Sequence, residues 1–278
     1  MKTIMNGEKD DTSLMGERLQ LSTYFDRKRR GTRILGALLL AIASPLIAVL
    51  VVLVRCTSPG PGFYRQTRIG KYGREFEIYK IRTMYMNAES VSGPVWCTSG
   101  DSRITPIGRI LRFLHLDELP QLINIARGEM DLIGPRPERP NFVEWLAHEI
   151  PDYRERLRVL PGVTGLAQIN LPPDKTIDCV RKKLAIDCYY LKVANLGLDL
   201  RILVCTLLRM IGIRHGRAAR WLGVMYDVET LLEVDRAAPE AEARWDGAVA
   251  VDPAAVSMDS DDMDEFALIT AGDGAGGT

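Results

Sequence analysis

The stretch Leu116-Asp117-Glu118-Leu119-Pro120-Gln121 sets two adjacent carboxylates just ahead of an apolar run. Leu119, Leu122, Ile123 and Ala126 fall at i, i+3, i+4 and i+7, one face of a helix. Pro120 agrees with a helix start, because the missing proline N–H costs nothing in a first turn. At that end the peptide dipoles and free N–H groups favour an ionised carboxylate and can receive a phosphate. Two uses of the pair are open on these six residues: Asp117 as a plain N-cap with a solvated Glu118, or Asp117 as a nucleophile or metal ligand.

The neighbours favour the second use. Arg109 and Arg112, three apart, share a face of a short helix upstream. Downstream, beyond the turn Gly128-Glu129-Met130-Asp131, comes Gly134-Pro135-Arg136-Pro137-Glu138-Arg139-Pro140. Three prolines and a glycine stiffen that loop, so Arg136 is presented with little conformational freedom left to lose. Rigid guanidinium forks suit phosphate oxygens. Earlier in the chain Lys80, Arg82 and Thr83 leave a strand as a basic patch with a hydroxyl, either a solvated strand end or a further phosphate contact.

A formal net charge of zero hides a split. Residues 221–278 carry 14 acids and 2 bases, so the tail holds −12 and the remainder +12. A basic body suits a phosphate-bearing partner: anionic lipid, nucleotide sugar or nucleic acid. Nucleic acid is the weakest of these, since no known binding module occurs and aromatics are sparse among the basic residues. The 5 cysteines form no C-x-x-C pair and there are only 3 histidines, which argues against zinc and for reduced, packing cysteines. No P-loop and no Rossmann glycine fingerprint occurs.

Residues 1–26 read as a polar, flexible leader without the layout of a signal peptide. Residues 27–55 read as the membrane segment: Arg27, Lys28, Arg29, Arg30 and Arg33 precede Ile34 to Val54, 21 uncharged residues, against the roughly 20 needed to cross a hydrocarbon core. Ser44-Pro45 falls in the middle, where proline kinks a helix. Arg55, Arg65, Arg68, Lys71 and Arg74 follow. With both flanks basic, both ends prefer the cytoplasmic side, which predicts a re-entrant helix-break-helix dipping into one leaflet. A single-pass anchor is the alternative, since prolines do occur in spanning helices.

Residues 56–217 read as a compact catalytic domain, α/β but mostly α. Phe63 to Arg68 and Arg74 to Ile81 predict strands of a hairpin turning at Gly70-Lys71-Tyr72-Gly73. Residues 84–102 read as a flexible loop beside the site, and Thr105 to Leu116 as a short helix. Asn141 to Val159 predicts an amphipathic helix with Trp145 as a core or interface anchor, and residues 174–192 a Lys- and Arg-rich helix. Leu196 to Ile213 carries Asp199, Arg201 and Arg209; it is too short and charged to cross a bilayer and suits the interface, a buried core helix being the alternative. Residues 218–278 read as an acidic tail with a short helix near Trp221 to Leu232 and disorder from about Ala237.

Five blocks recur in the order seen in one family: the apolar segment with Ser44-Pro45, Tyr79-Lys80-Ile81-Arg82-Thr83-Met84, the Asp117-Glu118 block, Gly134-Pro135-Arg136-Pro137, and Pro161-Gly162-Val163-Thr164-Gly165-Leu166-Ala167-Gln168. From about Arg27 to Ile213 the chain resembles the monotopic phosphoglycosyl transferases, the bacterial sugar transferase family. The resemblance implies transfer of a phosphosugar from a nucleotide sugar, UDP-linked by expectation, to a polyprenyl phosphate, as the first membrane step of glycan or exopolysaccharide assembly. It implies Asp117 as nucleophile and Mg²⁺ ligand, Glu118 in support, phosphate contacts from Arg112, Arg136, Lys80, Arg82 and Thr83, and the Ser44-Pro45 pair as the membrane break. It further implies the cytoplasmic face of a bacterial plasma membrane, anionic lipid contacts, downstream glycosyltransferases as partners and a homo-oligomer as an option. Leu166, Asn170-Leu171-Pro172 and Leu114-His115 depart from the family pattern and bear on the identity of the sugar. His115 reads as structural. The rival class is a non-catalytic peripheral membrane scaffold, which accounts for the charge split but not for the ordered motifs.

Overall fold

The computed structural model describes residues 10–228 except 87, 89–100, 173, 175, 214 and 215, with only the backbone described over 10–22. Most of the loop expected over 84–102 and the acidic tail beyond 228 lie outside the described residues. The architecture is mostly helical with two small sheets.

A 48-residue helix, α1 (Asp10–Thr57), opens the fold. The helix runs through Ser44-Pro45 without the break expected there. Proline at 45 leaves the Ala41 carbonyl without its usual N–H donor, and the Ser44 hydroxyl donates to that carbonyl at 2.8 Å. Between Ile34 and Leu53 the apolar side chains are largely exposed, Ile42 at 77%. Both halves of the helix nevertheless bind the same body. On the first, Lys28 and Gly36 touch it; a Cβ at Gly36 would lie 2.6 Å from Ile125 Cγ2, so only glycine allows this approach. On the second, Leu50 and Val54 pack with Ile81 and Leu111.

The hairpin forms as expected, β1 (Phe63–Ile69) antiparallel to β2 (Glu75–Ile81). Its turn holds Tyr72 at φ +57° and Gly73 at φ +76°. Helix α2 (Pro106–Phe113) is capped by Thr105, whose hydroxyl accepts from the Gly108 N–H. The acids occupy a 3-10 turn, Leu116–Glu118, entered through His115 at φ +54°, and α3 (Gln121–Arg127) follows. They therefore sit one short turn ahead of the α-helix, with Pro120 at its N-cap.

Strand β3 (Asp131–Ile133) pairs in parallel with β4 (Gly162–Thr164), an arrangement the sequence pattern did not suggest. The single helix expected over 141–159 is two pieces, α4 (Pro140–Glu149) and a 3-10 segment, Tyr153–Arg158. Pro151 cannot donate to a helical ladder and Asp152 adopts φ +64°, which ends the first piece. Next come α5 (Leu166–Asn170), α6 (Ile177–Val193), α7 (Leu196–Met210) and α8 (Arg217–Trp221). The main core joins Ile133, Leu166, Ile169, Ile186, Tyr190, Leu198 and Ile202. Trp145 packs against a second cluster around Phe142, Leu146 and Tyr153. On its outer face α7 leaves Leu196, Leu200, Val204 and Leu207 exposed, with Ile211 just beyond.

Candidate active site

The site forms where the end of β2, the 3-10 turn and the loop after β3 meet. Lys80 leaves β2 toward the turn, and its Nζ donates to Glu118 Oε1 at 2.9 Å. From the other side Arg136 Nη2 donates to the same oxygen at 2.9 Å. Burial acts to raise the Glu118 carboxyl, but Arg136 and Lys80 outweigh it and hold Glu118 well below the usual carboxylate range. The Lys80 ammonium is lowered, burial being opposed by Glu118.

Asp117 differs from its neighbour in its partners and in the direction of its shift. Its side chain is buried, the residue 7% exposed, yet among the described residues no hydrogen bond or ion pair reaches its carboxylate. Burial, and then the charge of Glu118, push its carboxyl above the usual range; Lys80, Arg112 and His115 pull the other way. One acid of the pair is thus consumed in holding two cations, and the other is kept available.

The expected basic patch divides. Arg112 Nε donates to the Thr83 hydroxyl at 2.8 Å, which ties α2 to the strand end. A Cβ at Gly108 would collide with the Thr83 carbonyl, so that approach requires glycine. Arg82 turns away from the acids: its guanidinium donates to the Ser58 carbonyl and hydroxyl, each at 2.8 Å, and to the Pro59 carbonyl. It clamps the exit of α1 and does not join Asp117 and Glu118. Ser44 and Pro45 lie within α1, away from the site.

The Arg136 loop is held by its backbone. Gly134 N–H donates to the Thr164 carbonyl and Gly162 N–H to the Pro135 carbonyl, both at 2.9 Å. Side chains at Gly134, Gly162 or Gly165 would collide with backbone of the facing strand or loop, which explains the spacing of Pro161-Gly162-Val163-Thr164-Gly165. Arg68 Nη1 donates to the Pro137 carbonyl at 3.0 Å. Arg156 Nη2 donates to the Arg136 carbonyl at 2.9 Å, and the same guanidinium pairs with the buried Asp187 at 2.8 Å and donates to the Tyr153 hydroxyl. Sequence reasoning missed Arg156 and Asp187. A signal existed: Asp187 falls in line with Val180, Leu184 and Leu191 on the buried face of α6, and an acid there needs a buried cation.

In the sequence Lys28 is one of a basic run, Arg27-Lys28-Arg29-Arg30. Its Nζ is buried, pairs with Asp199 at 2.8 Å, lies 3.6 Å from Asp131 and donates to the Ile133 carbonyl at 2.7 Å. One ammonium thereby ties α1 to α7 and to the strand that leads into Arg136.

Two cations converging on one acid of a carboxylate pair, in a body that also carries a helix with a largely exposed apolar stretch, suit a phosphate ester handled at a membrane surface. A family model described as bacterial sugar transferase matches residues 23–212, and the chain belongs to that family. A protein of Aeromonas hydrophila named UDP-N-acetylgalactosamine-undecaprenyl-phosphate N-acetylgalactosaminephosphotransferase is 42% identical over 180 residues, 64% of this chain and 42% of that protein. A UDP-glucose:undecaprenyl-phosphate glucose-1-phosphate transferase of Caulobacter vibrioides is 39% identical over 184 residues, 65% of this chain and 68% of its own length. The protein of that same name in Escherichia coli is 34% identical over 184 residues, 66% of this chain and 39% of its own. The chain spans less than half the length of the Aeromonas and Escherichia relatives.

Proposed function

We propose that this protein transfers a sugar phosphate from a UDP-sugar to undecaprenyl phosphate, releasing UMP, through a phosphosugar carried on Asp117. The observation that carries this reading is the contrast within the pair: Glu118 is bound by Lys80 and Arg136, while the adjacent buried Asp117 has no partner among the described residues. An Asp117 oxygen attacks the sugar-bearing phosphorus, the bond from that phosphorus to the bridging oxygen breaks, and UMP leaves with the electron pair. An oxygen of the lipid phosphate then attacks the same phosphorus, the bond to Asp117 breaks and the carboxylate is restored. Arg136 and Lys80, fixed by Glu118, and Arg112 with Thr83 neutralise the diphosphate.

Mg²⁺ fits this donor set: Asp117 supplies one uncommitted carboxylate, and Mg²⁺ is commonly held by one or two carboxylates plus substrate phosphates. When bound, it would screen the repulsion between carboxylate and phosphate.

A re-entrant course for α1 on the cytoplasmic face is supported by the contacts of both its halves with one body. Residues 37–49 alone lie between Gly36 and Leu50, about 20 Å of helix at 1.5 Å per residue, short of the ~30 Å hydrocarbon core. The exposed stripe of α7 suits the interface of an anionic leaflet. The test is UMP release from membranes supplied with undecaprenyl phosphate, Mg²⁺ and a panel of UDP-sugars. UMP with at least one sugar in the wild type and none with Asp117→Asn is expected; no UMP with any sugar from folded protein overturns the reading.

A further inference from the structure

Resting on that reading, we propose that Gln121 is a substrate-binding residue whose side-chain amide donates to the sugar-bearing phosphoryl group held at Asp117.

Asp117, Gln121 and Asn124 follow one another at i, i+4 and i+7, and all three are buried. The turns between them are continuous, since Leu119, Leu122 and Ile123 N–H groups donate to the Leu116, Leu119 and Pro120 carbonyls at 3.0–3.3 Å. All three side chains are buried, and the 3-10 turn and α3 that carry them both pack on β2. Asn124, at the far end, is fully employed: its Oδ1 accepts from Tyr79 N–H at 3.1 Å, and its Nδ2 donates to the Glu77 carbonyl at 2.6 Å and to Glu129 at 2.8 Å. Those bonds pin α3 against β2, the strand that carries Lys80.

Gln121 lies in the chain between this anchored amide and the nucleophile. It is 1% exposed, and its Nε2 has no hydrogen-bond partner among the described residues. A buried amide left without an acceptor is costly, whereas an apolar side chain of similar shape is not. A methionine would fill the same space in the free protein more favourably. Glutamine makes sense there if an acceptor arrives, and the acceptor the reaction brings to Asp117 is a phosphoryl oxygen. An N–H donor also suits a group on which negative charge grows during attack.

The test compares Gln121→Met with the wild type by thermal unfolding in detergent, with no ligand, with UMP and with UDP, each with Mg²⁺. UDP carries the phosphoryl group that bears the sugar in the donor, and UMP lacks it. Without ligand, Gln121→Met is expected to melt about 2–5 °C higher than the wild type, because the orphaned amide is gone. The extra stabilisation by UDP over UMP should shrink in the variant, and UMP release from the UDP-sugar should fall about 10–100-fold in kcat/KM. A variant that melts no higher than the wild type removes the premise. One that melts higher but keeps the full UDP advantage and full turnover makes Gln121 a packing residue only. Gln121→Glu, nearly the same shape with the donor replaced by an anion, gives a second arm: UDP affinity should fall more than UMP affinity, and equal losses overturn the contact. The UDP-against-UMP comparison needs no turnover, so its failure is distinct from failure of the transfer reaction.

Discussion

Replacing Glu118 by glutamine removes the charge that holds Lys80 and Arg136 together. Lys80 is well buried, its side chain 16% exposed, while Arg136 is 40% exposed. Removing one partner of a buried pair costs about 3–5 kcal/mol, because a charge is left in low dielectric; an exposed pair contributes about 0–1 kcal/mol. The Lys80 contact lies near the first case and the Arg136 contact near the second, and glutamine keeps one oxygen as acceptor. A loss of about 2–4 kcal/mol follows, or a fall of about 5–15 °C in Tm for a chain of this size. Circular dichroism of protein in nanodiscs reads it. The pH dependence has a definite sign. A carboxyl held below its ordinary value contributes stability that is present above the unfolded pKa and lost as pH falls through the folded one. The gap between wild type and Glu118→Gln should therefore be flat from pH 7 to about 5 and close in stronger acid. Glu118→Leu combined with Lys80→Met should recover more than half of the loss, since no buried cation is stranded. A single variant melting within about 2 °C of the wild type, or a double variant worse than the single, would refute the reasoning.

Asp117→Asn should fold with a Tm at or above that of the wild type, since it removes a buried unpaired carboxylate, while UMP release drops at least about 10³-fold; near-normal turnover would be incompatible with a nucleophilic Asp117. Gly36→Val should cost about 1–3 kcal/mol in denaturant unfolding, because its Cβ meets Ile125 at 2.6 Å; an unchanged midpoint would mean that α1 and α3 do not touch there. Lys28→Met should strand Asp199 and lower Tm by several degrees, with Lys28→Arg restoring part of it. Burial raises the Cys205 thiol, so at pH 8 a maleimide should label the exposed Cys56 in seconds to minutes and leave Cys205 unlabelled until unfolding.

The hairpin was legible because alternation and the Gly70 to Gly73 turn are local signals, and the observed strands begin and end within a residue of the expected ones. The acid pair and the Arg136 loop were legible because motif order and stiff turn chemistry single them out. The split of the helix expected over 141–159 is legible in Pro151, which cannot continue the helical ladder whatever the apolar periodicity around it. The β3–β4 pair could not: it is three residues a side, parallel, and made by contacts about thirty positions apart that leave no periodic trace. Arg82 misled because its charge and its place in a motif suggested phosphate, whereas its strand position turns it toward Ser58 and Pro59. The network around Lys28 joins residues 28, 131 and 199, and such long-range pairing is invisible to spacing arguments.

The central claim is a phosphorus bound for a time to one oxygen of residue 117. Protein in nanodiscs, mixed with Mg²⁺ and a UDP-sugar labelled in its sugar-bearing phosphate, without lipid acceptor, should release one equivalent of UMP and retain label on the peptide that contains Asp117. Label should then move to undecaprenyl phosphate when it is added. UMP release that waits for the lipid, with no label on the protein at any time, would contradict it.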